Sequence, residues 1–213
     1  KESEAISRLT NIQSEVSCHY LIKKNGEIIN MVPDLYVAWH AGKSLWKNFK
    51  SLNQNSIGIE ISNPGHGHNY KKFSKKQVFS LLKISKFLIK KYSISPKNIL
   101  GHSDIAPERK KDPGEKFPWE YLSKNKIGVW HTLKKEELIK NRKLRISKKE
   151  KSYFFSNLFK IGYSKKNQKE LNKDKYLGCV FKAFQRRFRQ ELISSKIDRE
   201  CLLISKNLLK KYK

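Results

Sequence analysis

The spacing of apolar positions changes along the chain, and each change marks an element. Ile6, Leu9 and Ile12 stand three apart behind an acidic start, which predicts a short helix within residues 1–16. Two apolar runs, 18–24 and 27–32, then flank Asn25-Gly26. That dipeptide predicts a β-hairpin closed by a type I′ turn, which needs positive φ at both central positions. A loop over 45–55 leads to a third strand at 56–62. Ser74 stands at the head of a stripe made by Val78, Leu81, Leu82, Ile84, Phe87 and Leu88, a helix with an N-cap that runs to about Tyr92, ahead of Ser95-Pro96. Asn98-Ile99-Leu100-Gly101-His102 reads as a short buried strand leaving a histidine at its C-terminal end, where ligand sites of α/β sheets collect.

From about Lys124 the strand-like runs stop. Residues 133–151 form a charged segment, a linker with a helical turn. Segments 153–159, 175–190 (Val180, Phe181, Phe184, Phe188) and 198–212 (Leu202, Leu203, Leu208, Leu209) predict three short helices. The fold class expected is therefore α/β followed by a small all-α three-helix domain.

With 213 residues, 38% of them hydrophobic, the chain can bury a core. No apolar run approaches the ~20 residues that cross a bilayer, and the start lacks the features of a signal peptide. Three cysteines without CxxC spacing support neither a disulfide scaffold nor a cysteine zinc finger. The net charge of +28 is unevenly spread: residues 124–213 carry +19 and residues 1–123 carry +9. Such an excess suits a polyanionic partner. With 39 Lys against 8 Arg, it is also what biased coding DNA would produce, and Lys offers little of the bidentate base readout that Arg supplies.

Three places bear candidate chemistry. His102 and Asp112, ten residues apart and with Asp112 fixed ahead of Pro113-Gly114, offer a nitrogen and an oxygen that one loop could fold together. Zn²⁺ accepts such a mixed set, though the spacing alone is common in unrelated proteins. Glu60 interrupts the apolar run Ile57-Gly58-Ile59-Glu60-Ile61; it faces either solvent or a cleft where it could act as a base, while Gly58 admits a close approach. Trp39-His40-Ala41-Gly42 offers an aromatic face on a loop, for stacking on a sugar or for packing round a turn. His19 is more readily a satisfied core histidine, and His66 and His68 an incidental pair in a glycine-rich loop.

In this order, Val16-Ser17-Cys18-His19-Tyr20-Leu21-Ile22, Ala38-Trp39-His40-Ala41-Gly42, Asn55 to Ile61, and Gly101-His102-Ser103-Asp104-Ile105-Ala106-Pro107 through Asp112-Pro113-Gly114 to Trp119 resemble the zinc N-acetylmuramoyl-L-alanine amidases of the AmpD/AmiD type. These share a fold with the peptidoglycan-recognition proteins. The tail, with Ala183-Phe184-Gln185-Arg186-Arg187-Phe188-Arg189, looks like the helical peptidoglycan-binding domain of the AmiD branch. The resemblance implies a mixed sheet flanked by helices, with a catalytic domain over 1–123, a linker over 124–150 and a peptidoglycan-binding-like domain over 151–213.

It further implies a Zn²⁺ cofactor held by His102 and Asp112, Glu60 activating water, Lys110 beside the developing oxyanion with Lys111 as its competitor, and substrate contacts from Trp39, His40, Ala41 and Arg109. The family's first zinc ligand is a histidine ending an N-terminal strand, and no such strand occurs in this sequence. Lys1 opens the chain and Met31 is its only methionine, so that ligand is expected in a segment upstream, with His40 or His19 as weaker substitutes. The implied partner is peptidoglycan or a muropeptide, with no specific nucleic acid and no membrane span. The implied location is the periplasm or envelope, with the cytoplasm as the alternative. A catalytically silent peptidoglycan-binding protein of the same fold is the competing reading, and nucleic-acid binding through the basic tail is a third that rests on charge alone.

Overall fold

A computed structural model describes residues 2–165 and 173–212. The chain forms two compact units: residues 1–45 with 49–95, and residues 96–213 with the excursion Trp46–Asn48. This division falls at Ser95/Pro96, whereas the motif content of the sequence changes near Lys124. His102 and Asp112 thus share a unit with the helices that follow them. Part of the expected helical domain, residues 166–172 and Lys213, lies outside the described residues.

The first unit opens with α1 (Glu2–Thr10) and a 3-10 turn at Ile12–Ser14. Strands β1 (Tyr20–Ile22) and β2 (Ile28–Asn30) form the expected hairpin, antiparallel with Leu21 opposite Ile29. Its turn is not type I′. Gly26 N–H donates to Lys23 O at 2.9 Å and Lys23 N–H to Glu27 O at 2.9 Å, and of the Asn25-Gly26 pair only Gly26 takes positive φ (90°). This is a turn over Lys23–Gly26 with a glycine bulge, the three-residue alternative for the same dipeptide. A ribbon of two short strands follows, β3 (Leu45–Trp46) and β4 (Phe49–Lys50).

β5 (Ile59–Ile61) then runs parallel to β1, with Glu60 opposite Leu21, completing a mixed three-stranded sheet in the order β2-β1-β5. β1 is central and all three of its residues are buried. Helix α2 (Lys75–Tyr92) begins on a capping box in which Ser74 and Gln77 satisfy each other's backbone N–H groups, worth about 1 kcal/mol. It buries Leu81, Ile84 and Leu88, and packs on β1. Phe87, expected in that stripe, stands 53% exposed: its position lies at the edge of the apolar arc, among the lysines.

In the second unit the expected strand at 98–102 does not form. Residues Pro96–Asn98 make a 3-10 turn, and the carbonyl of Ile99 is taken by the Arg187 guanidinium rather than by a β-ladder. His102 consequently opens a four-residue helix, α3 (His102–Ile105), instead of ending a strand. After α4 (Trp119–Lys124) and α5 (Lys135–Asn141) come α6 (Lys148–Ile161), α7 (Lys173–Phe188) and α8 (Arg199–Tyr212), the three helices anticipated. Phe154 is wholly buried against Phe181 and Phe184, with centroids 5.7 and 5.2 Å away in edge-to-face geometry.

Candidate active site

The sequence-flagged residues fall into two groups, one in each unit.

In the first unit, β1 and the loop before β5 meet at His19. Its ring is buried and fully used: Nδ1 accepts from Gly58 N–H at 3.0 Å, and Nε2 lies 3.0 Å from Tyr36 O, which fixes Nε2 as the donor. His19 is therefore a structural histidine. The His40 ring crosses it edge-on at 5.5 Å and packs against Gly58, where a Cβ would come within 2.2 Å of Cγ. The close approach that Gly58 permits is made by His40, and this is why only glycine fits there.

Ala41 is buried with its N–H donating to Asn53 Oδ1 at 2.7 Å, and Gly42 N–H shares that oxygen at 3.3 Å. Asn53 pins the loop, a role with no local signal in the sequence. The Trp39 N–H donates to Ser17 Oγ at 2.8 Å, and the residue stands 48% exposed, its indole available for stacking. Glu60 is half-buried on β5. Its charge, added to the dominant effect of burial, pushes the Cys18 thiol up to about 12, so Cys18 stays protonated and inert.

In the second unit the structure brings His102 and Asp112 into direct contact, with imidazole Nδ1–H donating to carboxylate Oδ2. Two features of the chain force this meeting. Ser103 N–H donates to Asp112 O at 2.9 Å, tying the two backbones. Gly101 packs against Pro113 and Trp119, and a Cβ there would lie 2.5 Å from Pro113 Cδ. The peptide bond between Asp112 and Pro113 is cis.

Burial would raise the Asp112 pKa, but the His102 contact and the nearby charges of His102 and Lys110 outweigh it, and the carboxyl is held below its ordinary value. Lys110 is half-buried, with its N–H on Ala106 O at 2.9 Å; Arg109 and Lys111 are exposed. A nitrogen and a carboxylate oxygen converging with both side chains reachable from solvent are donors of the kind zinc takes. Among the described residues no group of three His, Cys, Asp or Glu is poised to hold a metal. The three cysteines are free.

Residues 1–115 match the family model described as N-acetylmuramoyl-L-alanine amidase. The chain is 33% identical to N-acetylmuramoyl-L-alanine amidase AmiD of Escherichia coli over 218 aligned positions, covering 97% of this chain and 78% of that protein. Among solved structures it resembles the complex of E. coli AmiD with anhydro-N-acetylmuramic acid-L-Ala-D-γ-Glu-L-Lys (TM-score 0.84, 32% identity, 100% of this chain and 85% of that one). It equally resembles AmpDH3 of Pseudomonas aeruginosa in complex with anhydromuramic pentapeptide (TM-score 0.84, 30% identity, 99% and 87%).

Proposed function

The chain belongs to the N-acetylmuramoyl-L-alanine amidase family, and on that premise we propose how its own residues carry the reaction. It hydrolyses the amide that joins the lactyl group of N-acetylmuramic acid to L-alanine, in peptidoglycan or muropeptides. The observation that carries the assignment of residues is the meeting of His102 with Asp112 inside the segment that bears the family's motif.

His102 and Asp112 hold Zn²⁺ as two of its ligands. When bound, zinc supplies Lewis-acid polarisation of the scissile carbonyl and makes water easier to deprotonate. Glu60 takes the proton from the attacking water and returns it to the departing amine as the C–N bond breaks, leaving a lactyl carboxylate and the free amino group of L-alanine. Lys110 places its ammonium where negative charge develops on the carbonyl oxygen. Trp39 offers its exposed face to substrate, with His40, Ala41 and Arg109 as further contacts.

Residues 1–123 carry the motifs of the reaction, 124–150 link, and 151–213 engage peptidoglycan. We place the enzyme in the cell envelope, with its substrate. Its +28 charge suits a polymer bearing peptide carboxylates, and among the described residues no helix is long and apolar enough to cross a membrane.

The test is release of L-alanyl peptide from a muramyl peptide, followed by mass spectrometry, alongside zinc content. Chelation should abolish release. Glu60→Gln should cost on the order of 10²–10⁴ in rate while leaving bound zinc unchanged. Zinc-free protein that binds cell wall without cutting it would replace this reading with that of a silent binder.

A further inference from the structure

The turn that presents His102 is held by residues far along the chain. Asp104, 1% exposed, accepts from Gly101 N–H at 2.8 Å, from the Tyr163 hydroxyl at 2.7 Å and from the Arg187 guanidinium. The other terminal nitrogen of Arg187 donates to Ile99 O at 2.8 Å. The guanidinium lies 4.1 Å over the Trp119 ring and Arg187 is 2% exposed. Positions 99, 101 and 104, on both sides of His102, are thus bound into one buried cluster completed by a side chain of α7 and a hydroxyl just beyond α6.

The local sequence cannot do this alone. A four-residue helix has no stability of its own, and Gly101 offers no side chain to brace it. A planar, forked cation that reaches a carboxylate and a carbonyl together fixes orientation in a way a single point charge does not. Because Ser103 N–H also holds Asp112 O, any rotation of the turn displaces both members of the His102–Asp112 pair.

We propose that Arg187, Asp104 and Tyr163 are positioning residues for His102, so that the helices beyond residue 150 form part of the metal site's own framework in addition to any hold on the cell wall. The proposal rests on reading His102 and Asp112 as zinc ligands.

The test uses the whole chain with Arg187→Met, Arg187→Lys, Tyr163→Phe and His102→Ala. Circular dichroism establishes that each variant is folded at the working temperature. Two quantities are then read: the ¹⁵N shifts of the His102 ring in metal-free protein at one pH, and zinc affinity by competition with a chromophoric chelator. Arg187→Met should lose the Nδ1 signature of the Asp112 hydrogen bond and bind zinc at least about tenfold more weakly. Arg187→Lys should recover part of both, and Tyr163→Phe should move both less, in the same direction.

A cluster that serves stability alone would lower the melting temperature and leave the two readings at wild-type values; that result in folded Arg187→Met overturns the proposal. If Arg187→Met does not fold, the same two readings on Tyr163→Phe decide. If His102→Ala binds zinc as tightly as wild type, the ligand reading has failed, and the ring shifts still decide whether the cluster positions His102.

Discussion

Two aspartates in this molecule collect nearly the same partners, one in each unit. Asp34 takes the hydroxyls of Tyr20 at 2.5 Å and Tyr92 at 2.8 Å and the ammonium of Lys91 at 3.0 Å. Asp104 takes the Tyr163 hydroxyl, the Gly101 N–H and the Arg187 guanidinium. The chemistry is alike and the surroundings are not. The Lys91 side chain is 47% exposed over an Asp34 side chain that is 7% exposed, whereas the side chains of Arg187 and Asp104 are 2% and 1% exposed. Water reaches the cation of the first pair and neither member of the second, so a lost ammonium is more readily replaced at Asp34 than a lost guanidinium at Asp104. A shared list of hydrogen bonds therefore says little about energetic weight until burial is known.

The comparison breaks most readily at Arg187. Arg187→Met strands a buried carboxylate, and urea unfolding should show a loss of about 3–5 kcal/mol. Adding Asp104→Asn to it should recover part of that loss. Tyr163→Phe removes one of three donors from the same carboxylate and should cost about 1–3 kcal/mol by the same measurement. Lys91→Met should shift the urea midpoint much less, by an amount that fades at high salt, because its ammonium keeps its solvent.

The smallest effect is the most diagnostic of exposure. Burial would raise the Asp34 carboxyl, but hydrogen bonds from Tyr20, Lys91 and Tyr92 hold it below its ordinary value. Its folded pKa is then lower than its unfolded one, near 3.9. The stability it contributes is complete above that value and is lost as pH falls through the folded pKa. The urea midpoint of wild type should therefore fall more steeply with acid than that of Asp34→Asn.

The meeting of His102 with Asp112 was legible from residue order. The interval between His102 and Asp112, with Gly101 before and Pro113 after, brings the pair together locally, while Arg187 and Tyr163 complete its frame from far along the chain. The hairpin and α2 were legible for the same reason: Gly26 and Ser74 act on their immediate neighbours. The strand expected at 98–102 failed because apolar run length cannot say who donates to the carbonyls, and Ile99 O goes to a side chain 88 residues away. Arg187 itself sits in a motif that pointed to wall binding, and nothing near it predicts that its charge is buried. Phe87 shows the converse error, an apolar residue assigned to the core by periodicity and placed in solvent by a small angular offset.

Trp46–Asn48 interrupt the first unit to pack with the second: Lys47 N–H donates to Gly162 O at 2.8 Å, and the Trp46 ring fills the space where a Cβ of Gly162 would be, beside Tyr163. In time, this means a wait. Synthesis at roughly 5–20 residues per second separates Trp46 from these partners by on the order of ten seconds. During that interval the Trp46 ring of the nascent chain lacks Gly162 and Tyr163 to bury against. Chains stalled before residue 162 should be nicked by protease at 46–48, and chains stalled well beyond it should resist.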